Sequence, residues 1–145
     1  PYFVPASPLF YAICHAAIRG VDVRIILPQK PDHLLPWLSS FTYYTKLREA
    51  GVKVWRYQPG FMHQKAFLAD NDLAIVGSIN LDYRSFMLNF ELAAVVQDKN
   101  FASEVEAMFL ADFDRCRPEN LRAFDDGSLL FRLQCRAAAL MSPEQ

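Results

Sequence analysis

Two short apolar runs, Phe61–Ala69 and Leu73–Ile79, flank the dipeptide Asn71-Asp72. This arrangement constrains the fold most. Asn and Asp tolerate positive φ, so a two-residue loop between alternating segments predicts a β-hairpin. With Asn71-Asp72 as the loop, His63 pairs with Asn80 and Lys65 with Ser78. Residues two apart share a strand face, and cross-strand partners point the same way. One patch of one face therefore carries His63, Lys65, Ser78 and Asn80. The other face carries Gln64, Ala66, Leu68, Ala74 and Val76, beside Ile79, and is fit to pack.

The hairpin sits in an alternating pattern. Pro1–Val4 reads as a strand end. Ser7 as N-cap and Pro8 at the first turn open a helix that stops at Gly20. Val21–Leu27 is a buried strand, Pro28–Pro36 a loop, Trp37–Ala50 one helix closed by Gly51, and Val52–Tyr57 a strand. Asn89–Gln97 is a further strand. Asn100 caps a helix from about Phe101 to Cys116, Pro118–Asp126 is a polar connection, and Gly127-Ser128 opens a last helix to about Leu140. Strands alternating with helices predict an α/β domain. At 145 residues, 52% of them hydrophobic, the chain has room for one ordinary domain with a core.

Composition removes other classes. The three Cys form no C-x-x-C pair, which excludes a disulfide scaffold and a zinc signature; Cys14, Cys116 and Cys135 read as reduced, buried thiols. No apolar run reaches the ~18 residues of a membrane span, and no signal peptide opens the chain. The start at Pro1, with a strand already in progress, points to a piece of a longer protein. The formal net charge is −1, so a global field for nucleic acid is absent and no nucleic-acid partner is expected. The charge is nonetheless split: residues 1–65 carry +5 and residues 66–145 carry −6, which would suit an anion facing the first part.

One His, one Lys, one Ser and one Asn on so apolar a hairpin suggest phosphoryl chemistry. Lys65 and Asn80 can donate to non-bridging phosphate oxygens and offset the charge that builds as phosphorus becomes five-coordinate. His63 can attack phosphorus or move a proton. Attack needs the neutral imidazole, whose unprotonated ring nitrogen carries the lone pair. No acidic cluster suited to Mg²⁺ accompanies these residues, so neither metal nor cofactor is expected.

His63, Lys65 and Asp70, followed by Gly77, Ser78 and Asn80, match H-x-K-x4-D and G-S-x-N, the signature of the phospholipase D superfamily, which the chain resembles. The flanks Pro1–Pro5, Arg19–Arg24, Lys30–His33, Tyr57–Phe61, Asn80–Ser85 and Asn89–Glu91 resemble the C-terminal repeat of the bacterial cardiolipin synthase family. The resemblance covers nearly the whole chain and is weakest after residue 117. It implies an α/β/α sandwich with a mixed β-sheet, the phospholipase D half-domain. Residues 1–117 would form the domain, truncated at its N-terminus, and 118–145 a helical extension packing on it. It implies phosphatidyl transfer between two phosphatidylglycerols through a phosphohistidine, giving cardiolipin and glycerol. His63 would be the nucleophile or the opposing general acid, Lys65, Ser78 and Asn80 would hold the phosphate, and Glu91 would hydrogen-bond the motif His and fix its tautomer. Asp70 and Gly77 would be structural. The partners implied are the phospholipid, a first repeat of the same parent or a second copy, and a membrane surface reached through the parent, at the bacterial inner membrane.

The pattern also departs from the family. Gln64 stands where Ala or Thr is common, and Ala6 where an acidic residue is frequent. Only one motif is present where the family site needs two. Rival readings are a homodimeric single-motif phosphodiesterase or nuclease, and an inactive fragment with its interface exposed. His33 resembles a loop near the site mouth, and His15 reads as a helix-face or core residue. Arg84 would support the phosphate pocket or pair with Asp82. Trp37, Phe41, Tyr43 and Tyr44 read as core, and Leu129, Leu130, Leu133, Ala137 and Leu140 as the packing side of the last helix, or as one covering the missing repeat.

Overall fold

A computed structural model describes residues 1–141; the last residues of the 118–145 extension, 142–145, lie outside the described residues. The order is β1 (Phe3–Val4), α1 (Ser7–Ile18), β2 (Arg24–Pro28), α2 (Leu34–Ser40), a 3₁₀ turn (Phe41–Tyr43), α3 (Tyr44–Ala50), β3 (Lys53–Tyr57), β4 (Ala66–Ala69), β5 (Leu73–Gly77), β6 (Leu81–Asp82), α4 (Tyr83–Met87), β7 (Ala93–Gln97), α5 (Lys99–Phe113), β8 (Cys116–Pro118) and α6 (Leu129–Leu140). The α/β expectation holds. The strands form three hydrogen-bonded ladders, β1-β6, β2-β3-β8 and β4-β5-β7. β1 and β2 pair in parallel with β6 and β3, and the remaining pairs are antiparallel.

The main core lies between β2-β3 and the helices α1, α2, α3 and α6. Phe3, Phe10, Leu27, Phe41, Tyr44, Leu47, Val54, Phe124 and Cys135 are buried there. Strand alternation sends Val54 and Arg56 into this layer, while Trp55 meets Phe113 of α5 edge-on at 5.6 Å between centroids. Arg56 is accommodated because its guanidinium donates to the Pro28 carbonyl at 2.9 Å and is held by Glu119 and the Tyr44 hydroxyl. A buried cation needs such a complete set of acceptors. α5 covers β4-β5-β7 from one side, with Ala74, Ala102 and Val105 buried in that contact.

Several expected boundaries move. The N-cap of α1 is Ala6 with no side-chain cap, so Ser7 is already helical. The Trp37–Ala50 helix starts three residues earlier and breaks into α2, the 3₁₀ turn and α3. That break lets Phe41 contact Trp37, Tyr44 and Phe131 at 4.8, 4.9 and 5.2 Å between ring centroids. Asp98, not Asn100, caps α5, accepting from the Phe101 N–H at 2.8 Å. Cys116 leaves α5 for β8, pairing with Tyr57, and is half-buried rather than fully buried like Cys14 and Cys135. Burial pushes its thiol up to about 11.

The last helix turns the other way. Leu129, Leu130, Leu133 and Leu140 are exposed, and the buried side carries Cys135 and Ala138. The helix is apolar on both sides, and the small side chains win the core because they let α6 approach α2 closely. No helix among the described residues is long and apolar enough to cross a membrane.

Candidate active site

The hairpin forms, one residue out of the expected register. Ala66 pairs with Val76, Phe67 with Ile75, Leu68 with Ala74 and Ala69 with Leu73. The connection is Asp70–Asp72, with Asp70 in the left-handed region at φ 54°, rather than Asn71-Asp72 alone. That conformation costs Asp70 little because its short polar side chain suits it. Lys65 consequently lies opposite Gly77, whose N–H donates to the Lys65 carbonyl at 3.1 Å, and not opposite Ser78.

The change of register would send Ser78 and Asn80 to the far face if strand parity held. It does not govern them, because β4 begins at Ala66 and β5 ends at Gly77. All four polar residues leave the ladder at the same end of the hairpin, and loop backbone sets their directions. Gly77 is needed at this exit. A Cβ there would collide with the Leu92 carbonyl oxygen and lie 2.7 Å from Ala93 Cα.

His63 and Lys65 meet directly. Lys65 Nζ lies 2.9 Å from His63 Nδ1 and 3.2 Å from Nε2, and donates to the His63 carbonyl at 2.9 Å. An ammonium has no acceptor capacity, so any ring nitrogen it bonds must carry a free lone pair. Burial lowers the Lys65 pKa, and the nearby charges of Glu91, Asp32 and Asp82 oppose that shift. His63 is exposed.

Glu91 is placed differently from the expectation. Its carboxylate accepts from the Ser78 hydroxyl and from Asn89 Nδ2 at 3.2 Å, rather than from His63. The Ser78 bond, then the Asn89 bond, holds its pKa below the usual carboxylate range. Ser78 also ties the β7 entry: its Oγ accepts from the Leu92 N–H at 3.0 Å, and its N–H donates to the Leu92 carbonyl at 2.9 Å. Glu91 thus acts on the G-S-x-N side and faces Lys65 as a charge. Asn80 Oδ1 is buried with no hydrogen-bond partner among the described residues. Its carboxamide leaves the motif with an unmatched polar atom.

Sequence reasoning put the Pro31–His33 loop near the site mouth and named Asp82, but it missed the charges of Asp32 and Asp82 on Lys65 and the contact of the first strand. Asp32 accepts from the Tyr2 hydroxyl at 2.6 Å and from the His33 N–H at 2.8 Å, and its charge reaches Lys65. This places the Pro31–His33 loop beside the site. Asp82 caps α4 by accepting from the Ser85 N–H at 2.7 Å. The parallel β1-β6 pairing, Phe3 with Leu81 and Val4 with Asp82, brings the first strand to the segment after Asn80. The D-Y-R-S run was a readable capping signal, whereas the β1 contact is long-range. His15 is exposed on α1, as a helix-face residue.

Around the site the surface is apolar. Phe86, Met87, Leu88 and Leu92 are 45–81% exposed and Phe90 is fully so. Phe67 and Val95, which flank Ile75 across the ladder, continue the patch over the uncovered face of β4-β5-β7.

Comparisons with known proteins agree with this architecture. The family described as the PLD-like domain of cardiolipin synthase matches residues 1–113. Cardiolipin synthase A of Pseudomonas aeruginosa (strain LESB58) is 49% identical over 146 residues, covering 99% of this chain and 29% of that protein. Cardiolipin synthase A of Pseudomonas syringae pv. syringae (strain B728a) is 45% identical over 143 residues, covering 99% and 30%. The chain therefore spans about 30% of the length of these curated relatives. Among solved structures, phosphatidylserine synthase from Haemophilus influenzae Rd KW20 has a TM-score of 0.76 at 18% identity, covering 99% of this chain and 40% of that one. The phospholipase D family member NUC from Salmonella typhimurium has a TM-score of 0.71 at 21% identity, covering 82% and 78%. At such identities the likeness is one of fold. From the match over residues 1–113, the chain belongs to the PLD-like domain family of cardiolipin synthase.

Proposed function

We propose that this chain is the C-terminal half of a cardiolipin synthase and supplies one of two histidines to a phosphatidyltransferase site. The observation that carries the reading is the His63–Lys65 contact at 2.9 Å, set at one end of the hairpin beside an apolar surface. A ring nitrogen of one histidine attacks the phosphorus of phosphatidylglycerol. The second histidine, from the other half, protonates the departing glycerol oxygen. The hydroxyl of a second phosphatidylglycerol then attacks the phosphohistidine, returning its proton to the second histidine and giving cardiolipin. Which histidine attacks depends on the other half.

Lys65 supplies a cation beside the His63 ring, placed to turn its donors to the phosphate oxygens and free the ring when substrate arrives. Asn80 offers its unmatched carboxamide. Amide oxygen and nitrogen are distinguished only by their bonding network, so the turned amide would donate to a phosphate oxygen. Ser78 lines the same pocket and is held by Glu91. Glu91 contributes by fixing Ser78 and by balancing Lys65. Asp70 and Gly77 shape the hairpin. Residues 1–117 form the domain in this reading and 118–145 an extension, whose described part, to residue 141, contributes Phe124 and Cys135 to the same core.

The exposed patch from Phe86 to Leu92, with Phe67 and Val95, is where the other half packs in this reading, because apolar surface of that extent beside a half-site calls for a partner. That partner is the first repeat of the parent, the substrate is a phospholipid, and the parent's own segments bring the site to the bacterial inner membrane. The test uses the full-length parent with phosphatidylglycerol, reading cardiolipin and glycerol by mass spectrometry. His63→Ala abolishes turnover, and retained cardiolipin formation in that variant sinks the assignment. If the full-length protein contains no second motif and scatters light as a dimer, the homodimeric phosphodiesterase takes its place.

A further inference from the structure

The stretch between Gly60 and β4 carries His63 and Lys65, yet it belongs to no ladder. Three features restrain it. Met62 is buried. The Lys65 carbonyl accepts from Gly77. Between the two site residues, Gln64 reaches away and donates from Nε2 to Asp112 Oδ2 at 2.6 Å.

Asp112 is built to receive it. It lies in the last turn of α5 and is 5% exposed. Its other oxygen accepts from Arg115 Nη2 at 2.7 Å, and the Arg115 guanidinium lies 5.2 Å from the Tyr57 ring centroid. The chain Gln64–Asp112–Arg115–Tyr57 thus joins the site segment to α5 and to the end of β3. A cavity of about 370 Å³, lined by His63, Gln64, Met108 and Asp112 among others, opens beside this bond. Without Gln64 the segment has open space on that side and one fewer restraint on its backbone.

We propose that Gln64 is a positioning residue, and that its bond to buried Asp112 holds His63 and Lys65 at the separation phosphoryl transfer requires. The proposal rests on the phosphatidyltransferase reading of His63. Gln64 touches no substrate and acts through the backbone of its two neighbours. A shorter side chain cannot reach Asp112, and a carboxylate at position 64 would face the Asp112 carboxylate.

The test uses the full-length parent, comparing wild type, His63→Ala, Gln64→Ala, Gln64→Glu, Asp112→Asn and the double variant Gln64→Glu with Asp112→Asn. Misplacing a reacting group by about 1 Å costs on the order of 100-fold. Gln64→Ala lowers kcat by about that factor, with KM within about twofold. Gln64→Glu lowers it further. The double variant recovers to within about threefold of Asp112→Asn, because the amide introduced on α5 donates to the carboxylate introduced in the site segment. Amide hydrogen exchange of the peptide spanning 60–66, read by mass spectrometry, quickens in Gln64→Ala and returns in the double variant. Unchanged kcat in Gln64→Ala, or equal exchange in wild type and Gln64→Ala, overturns the proposal. If wild type and His63→Ala turn over alike, the underlying reading of His63 fails instead, and the exchange comparison still decides whether Gln64 restrains the segment.

Discussion

The β2-β3-β8 ladder and the β4-β5-β7 ladder belong to one chain, yet they are finished to different degrees. The first is enclosed, with α1, α2, α3 and α6 on one side and α5 on the other, and it completely buries Tyr44 and Leu47. The second has α5 behind it and an open front, where Phe67, Val95 and Leu92 are more than half exposed. An enclosed ladder draws its stability from packing within the chain. An open one keeps apolar surface in reserve, and here the reserve surrounds His63, Lys65 and Ser78. The proposed site thus lies on the side of the molecule where apolar surface stays uncovered.

Breaking the enclosed side has the largest effect on stability. Glu119→Ala leaves Arg56, whose side chain is 7% exposed, as a buried cation short of an acceptor, and such losses cost about 3–5 kcal/mol. The unfolding midpoint in urea reports it, and a change under about 1 kcal/mol would show that Tyr44 and Pro28 alone satisfy Arg56. Next is the seam between the two regimes. Gly77→Ala drives a methyl into Leu92 and Ala93 of β7. Overpacking of this kind costs about 1–3 kcal/mol, and under the proposed function cardiolipin formation by the parent falls as well, because the Ser78 exit shifts.

On the open side, Phe90→Ser touches a side chain that is fully exposed in this chain. It changes the stability of the isolated chain by less than about 0.5 kcal/mol, while under the proposed packing of the other half it weakens the full-length protein. Equal effects in both would place Phe90 outside any interface. The smallest effect comes from a surface network. Asp22 is held at about 2 by the Arg24 bonds and then by Lys53. A depressed carboxylate stabilises the fold above its unfolded pKa near 3.8, and that contribution is lost as pH falls toward 2. Asp22→Asn flattens this acid limb in a denaturation series at low salt, and added salt shrinks the difference.

How much of this was legible depended on the range of the interaction. The hairpin between β4 and β5, the Ser128 cap that accepts from Phe131 and the Gly51 stop with φ 85° were readable, because each is decided by a few adjacent residues. The site residues were readable as a spaced motif. Their mutual geometry was less so. The loop took in Asp70, the register moved by one, and Glu91 went to Ser78 and Asn89 instead of His63. Local chemistry offered Glu91 several partners within reach, and the fold of the 85–92 segment chose among them.

The sequence by itself determined that this chain alternates strands and helices, that a hairpin joins β4 to β5, and that the spaced residues His63, Lys65, Ser78 and Asn80 flank it. Side-chain type and near-neighbour spacing carry that information, because backbone preferences and acid–base character are properties of the residues themselves. Only the tertiary structure decided which side of α6 is buried, how Arg56 is satisfied in the core, and which half of the β surface stays open. Those outcomes hang on contacts between residues tens of positions apart, where shape and available partners decide among arrangements that local preference leaves nearly equal.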